Sequence, residues 1–129
     1  GPGPWTFAET EVCTLTHVED STEVTVVYDP ATGTYTISVT TAVEWADSPV
    51  FRLRFDGPNA LTIGTDQHTL SNDRRSLSVS DSGFGNVLAG IGRNLQMTAL
   101  NGDQSVTVST TDAADPVADF TTCPSPRTS

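Results

Sequence analysis

The chain has 129 residues, 36% of them hydrophobic, which is one domain's length with enough apolar content for a modest core and excludes a disordered polypeptide. Its six basic residues, every one an arginine, face sixteen acids, and the formal net charge of −10 excludes the electrostatic footprint of a nucleic-acid binder. No apolar run reaches the about 20 residues of a membrane-spanning helix, so membrane insertion is not expected.

Gly1–Pro4 reads as a vector-derived remnant that replaces a leader. From Trp5 onward, apolar residues alternate with polar ones. The pairs Trp5/Phe7 and Cys13/Leu15 and the triplet Val24/Val26/Tyr28 each share one face. Asp29-Pro-Ala-Thr-Gly33 is a turn with a proline entry and a glycine exit. Beyond it Tyr35, Ile37 and Val39 alternate with threonine and serine. The connection over 42–49 ends in proline and holds Trp45, whose two readings are an exposed anchor and a lid on the core. The sharpest strand runs from Val50 to Asp56, with Phe51, Leu53 and Phe55 inward and Arg52, Arg54 and Asp56 outward. Leu61/Ile63, Thr69-Leu70 and Leu77/Val79 follow, the last two joined by a turn at Asn72-Asp-Arg-Arg75.

Asn86-Val-Leu-Ala-Gly-Ile-Gly92 breaks the alternation, with Val87, Leu88 and Ile91 at helical spacing and a closing glycine. Leu95/Met97/Ala99 and Val106/Val108 return to period two around Asn101-Gly102, a strong hairpin signal. Asp115-Pro116 reads as a cap and a first-turn proline, opening a short helix that places Val117, Phe120 and Cys123 along one side. The expected fold is therefore all-β, an antiparallel sandwich or small barrel of about 8–10 short strands, with one helix near 86–92 and another near 116–122. Residues 5–123 form the single domain, and 124–129 a flexible tail.

The two cysteines belong to no Cys-x-x-Cys pair, so zinc and redox motifs are absent. Joining Cys13 to Cys123 closes a loop of about 110 residues, worth roughly 4–5 kcal/mol in the chain-entropy model. Such a bridge belongs to an oxidising compartment, and the expected home is periplasmic or secreted. His17 and His68 are the only histidines, so a zinc site would need carboxylates for its remaining ligands, and no His-x-x-x-His or Cys/His cluster exists. Asp66, Asp73, Asp81 and Asp103 fall near strand ends without the spacing of a calcium loop, so neither metal nor cofactor is expected. Arg52 and Arg54 suit a forked grip on an anion, or pairing with neighbouring acids.

The segment Asp81-Ser82-Gly83-Phe84-Gly85-Asn86 stands out: two glycines offer positive φ or close backbone approach, and Phe84 between them is a core plug or an exposed anchor. Its Asp81-Ser82-Gly83 core resembles the nucleophile segment of trypsin-like proteases over three residues only, with Phe84 in place of the second glycine. The same loop resembles the serine–glycine loop that periplasmic lysozyme inhibitors of the C type insert into their target, although no Ala-Arg-Tyr follows the glycine. At the scale of the chain, Trp5-Thr-Phe7 with Cys13, Val50-Phe-Arg-Leu-Arg-Phe-Asp-Gly57, Gly83-Phe-Gly-Asn-Val-Leu88 and Pro116-Val-Ala-Asp-Phe120 with Cys123 are similar to small uncharacterised periplasmic proteins of α-proteobacteria of rhodobacterial type. More distantly they resemble invasion-associated locus B proteins, whose further cysteines this chain lacks. The resemblance implies a leader, a periplasmic home and a disulfide, and carries over no catalytic residue. The expectation is a non-catalytic binding module whose partner is a protein or cell-envelope component, a basic one being favoured by the chain's charge, held by the 81–86 loop and Trp45; the alternatives are an inhibitor of a basic hydrolase and a hydrolase.

Overall fold

The computed structural model describes residues 4–124. The expected remnant apart from Pro4, and the expected tail apart from Pro124, lie outside the described residues. The strands are β1 (Thr6–Glu9), β2 (Cys13–Glu19), β3 (Thr22–Asp29), β4 (Thr34–Thr40), β5 (Phe51–Asp56), β6 (Leu61–Thr65), β7 (Thr69–Leu70), β8 (Ser76–Asp81), β9 (Gln96–Asn101) and β10 (Gln104–Ser109). Helix α1 (Gly85–Gly92) joins β8 to β9, and α2 (Ala114–Thr121) follows β10. The strands form two sheets, ordered β1-β2-β3-β4-β8-β7 and β10-β9-β5-β6. The pairings are antiparallel throughout, and the two separate sheets make a sandwich rather than a barrel.

Alternation decides which face each strand buries. Phe51, Leu53 and Phe55 of β5 lie in the core with Arg52 and Arg54 exposed between them. In β2 the inward set is Cys13, Leu15 and His17, so Val18 is left on the wet face. Period, not residue type, places both His17 and Val18. Leu95 departs from the expected inward run with Met97 and Ala99: it is 52% exposed. It occupies the corner between α1 and β9, where its N–H bonds the Asp56 carbonyl and its own carbonyl accepts from Thr110 before the pleat is established.

The turns follow backbone chemistry. Gly33 closes the β3–β4 hairpin at φ +69°, its N–H on the Asp29 carbonyl. At the β9–β10 hairpin the expected turn pair moves by one residue. Asn101 pairs with Gln104, and Gly102 (φ +61°) with Asp103 makes the two-residue loop. Asn101 stays in the strand because its buried side chain donates to the Ala46 carbonyl at 2.7 Å.

Helix α1 begins at Gly85 and buries Val87, Leu88 and Ile91 as the spacing predicts. Gly90 permits its close approach to β5, since a Cβ there would meet the Phe55 ring at 2.5–2.6 Å. Helix α2 starts earlier than expected. Ala113 is its N-cap, with no side-chain cap, and Asp115 lies inside the first turn instead of capping it. The cause is the tight bend that precedes it, where the Ala113 N–H bonds the Thr110 carbonyl and buries Ala113 completely. Asp115 still complements the helix dipole from that position. Phe120 packs against Phe7 and Tyr35, and the last turn brings Cys123 to β2, where it bridges to Cys13 with a Cα–Cα separation of 6.3 Å.

Two stability outcomes follow from this packing. In urea melts Gly90→Ala lowers stability by about 1–3 kcal/mol, because the Phe55 ring has no free space to enter. Replacing Cys13 and Cys123 together by serine costs about 2–5 kcal/mol in the same measurement.

Candidate functional site

A two-sheet sandwich has two lateral openings, and this chain treats them differently. On one side the edge strand β10 faces the β1–β2 edge. Ser109, the last residue of β10, gives its carbonyl to Trp5 Nε1 (2.7 Å) and its N–H to Glu19 Oε1 (2.9 Å). His17 stacks on Trp5 with ring centroids 4.7 Å apart and bonds Glu19 Oε1 through Nε2 at 3.1 Å. A carboxylate only accepts, so His17 donates through Nε2, and Nδ1 is buried without a hydrogen-bond partner among the described residues. Burial works to raise the Glu19 carboxyl, but the bonds from the Ser109 N–H and His17, with the charge of His17, outweigh it and hold the group below its ordinary 4.5. On this side the two sheets are stitched together at Ser109.

The opposite opening, between β6 and the β8–β7 edge, is a cleft of about 630 Å³. Its floor and walls are apolar: Ile37 of β4, Leu53 of β5, Ile63 of β6, Val79 of β8 and Phe84. One end is crossed by residues 66–68, which carry the chain from one sheet to the other. The second end is the 81–86 loop, which runs directly into α1.

That loop contributes Asp81, Gly83, Phe84, Gly85 and Asn86 to the lining, so five of its six predicted residues meet in one place. Ser82 stays outside the lining, its N–H on Asp81 Oδ1 at 2.7 Å. Phe84 takes the first of its two readings, and the glycines depart from theirs. Phe84 is 5% exposed, plugged inward against Tyr35, so it is a wall and not a projecting anchor. Neither Gly83 nor Gly85 takes positive φ, and a Cβ on either would meet nothing within 4 Å. Their backbones are ordinary, and Phe84 is fixed by ring packing instead.

The remaining candidates lie elsewhere. Trp45 is 2% exposed, donates Nε1 to the Val39 carbonyl and packs edge-on to Phe51, which makes it the lid on the far end of the core and removes it from the binding surface. Arg54 bonds Asp56 two residues along its own strand, and Arg52 projects beside it on the outer face, away from the cleft lining. His68 donates Nε2 to the Ser48 carbonyl and His17 belongs to the stitched edge, so neither histidine bonds Ser82. Among the described residues no three His, Cys, Asp or Glu side chains converge on a metal-sized site. The Trp5–His17–Glu19–Ser109 cluster was not anticipated as a unit. The signal for it was present, since His17 continues the inward alternation of Cys13 and Leu15.

No protein-family model, curated protein or solved structure matches this chain.

The depressed Glu19 carboxyl contributes stability that is present above its unfolded value of 4.5 and lost as pH falls through the lower folded value. Urea melts taken from neutrality downward therefore show the native protein more stable than Glu19→Gln above about pH 4.5, with the difference vanishing on further acidification.

Proposed function

We propose that this chain is a non-catalytic binding module that works outside the reducing cytoplasm, and that the open lateral cleft is its binding surface. The observation that carries the reading is the contrast between the two sides of one sandwich: one is fastened at Ser109 by Trp5 and Glu19, the other holds an apolar recess between the sheets. Its volume of about 630 Å³ lies in the range of ligand-sized sites, and apolar walls beneath a few polar rim groups are the usual composition of such sites. The Cys13–Cys123 bridge supports an oxidising location, as does the resemblance to small exported proteins.

Asp81 is the rim residue best suited to a test, being exposed, with its carboxylate bonded among the described residues only to its neighbour Ser82. Native protein and Asp81→Lys, both immobilised, are exposed to the same cell-envelope extract, and captured components are quantified by mass spectrometry. The expected result is a component retained by the native surface and reduced about tenfold on the variant. Equal capture by the two surfaces overturns the cleft as the binding surface.

A further inference from the structure

The β8 edge that frames the cleft is only half covered. Ser71 N–H bonds the Ser76 carbonyl, while Thr41 N–H bonds the Arg75 carbonyl on the β4 side. In an antiparallel strand successive residues direct their backbone groups to opposite sides, so Ser76, Ser78 and Ser80 all face β7. Strand β7 has two residues and its pairing ends at Thr69 opposite Ser78. The chain before Thr69 leaves for the other sheet. Gln67, which a longer β7 would have set against Ser80, instead places its own N–H on Thr65 Oγ1 and its side-chain amide on Asp66. The N–H and carbonyl of Ser80 therefore stand on an exposed sheet edge with no strand beside them. Across the opening runs β6, itself the last strand of its sheet.

We infer that the cleft receives an extended basic polypeptide segment, which continues the place of β7 by pairing its backbone with Ser80 and sends alternate side chains down between the sheets. The inference rests on the binding-module reading and names its ligand class. Strand addition is the mode an open edge above an apolar recess supports: backbone hydrogen bonds hold the segment, and every second side chain enters the recess. On this edge those side chains fall on the same face as Val79 and meet Ile37, Leu53, Ile63 and Phe84. The charge is complementary, because Asp81 stands at the rim, no arginine among the described residues lines the cleft, and the whole chain carries −10. Lysine or arginine flanking the inserted residues is therefore favoured, and encounter is steered over a Debye length. The same molecule supplies the control. At the end of β10 the outward backbone groups of Ser109 are taken by Trp5 and Glu19, whereas among the described residues no side chain bonds those of Ser80.

The test uses the full chain and a displayed library of random linear peptides, selected on native protein. Enriched peptides are then synthesised and titrated into isotope-labelled protein, with amide shifts and hydrogen exchange read residue by residue. The expected outcome is enrichment of basic, alternating sequences, shifts centred on Ser80, Asp81 and the β6 residues, and slowed exchange at the Ser80 amide. Backbone N-methylation of the peptide at alternate positions weakens binding at least about tenfold, and so does Ser80→Pro, which removes the edge donor. Asp81→Lys weakens it as well and flattens its salt dependence, which keeps the proposal testable should the proline variant not fold. No enrichment, shifts at another surface, or binding indifferent to N-methylation overturns strand addition. If small apolar amines shift the cleft amides while no peptide does, the ligand class is wrong and the binding module stands. If the component captured by native protein is also captured by Asp81→Lys, that reading falls with it.

Discussion

An edge strand carries backbone donors and acceptors that no neighbouring strand satisfies, and the organisation of this molecule depends on how it handles them. At Ser109 both groups are taken by side chains of the opposite sheet, Trp5 and Glu19, with His17 stacked behind. Those bonds fasten the end of β10 to the β1–β2 side of the other sheet. A two-layer core held together on one side need not be sealed on the other. The cleft under Ser80 is the geometric consequence of sheets of six and four strands whose far edges do not meet.

The lip of the cleft is tied to the disulfide through a run of aromatic rings. Phe84 lies against Tyr35 with centroids 5.5 Å apart, Tyr35 stacks on Tyr28 at 4.3 Å, and Phe120 of α2 packs on Tyr35 at 6.2 Å. Phe120 precedes Cys123 by one helical turn, so the bridge to β2 holds in place the helix on which the Tyr35 cluster leans. Close packing transmits such restraint because a core has little empty volume to absorb it. Within the 81–86 loop Phe84 is thereby held as a packed wall of the cleft between two exposed glycines.

The described residues gather at the cleft an apolar floor, hydrogen-bonding backbone and an acidic rim position, the groups on which the proposed binding module rests. The histidines are engaged elsewhere, one in stacking and carboxylate bonding and the other on a backbone carbonyl. Ser82 shares only the Asp81 carboxylate next to it. The arginine pair of β5, which suggested anion binding in isolation, is on the solvent face, where Arg54 is already matched by Asp56.

Much of the architecture was legible without coordinates, for a local reason. Alternation in β5, β4 and β8, the Asp29–Gly33 turn, the helical spacing of Val87, Leu88 and Ile91, and the reach of Cys123 all depend on residues close in sequence or on a pair with no other choice of partner. What stayed hidden was set by contacts between distant segments. Trp45 and Phe84 turned inward because Phe51 and Tyr35, brought alongside by the fold, offered apolar partners. Asn101 stayed in its strand because the Ala46 carbonyl needed a donor. Asp115 lost its capping place to a bend that buries Ala113. Above all, which strand edges are covered and which are open is decided by the apposition of two whole sheets. Period-two patterning says which side of a strand is dry, but it carries no information about what stands beside the strand.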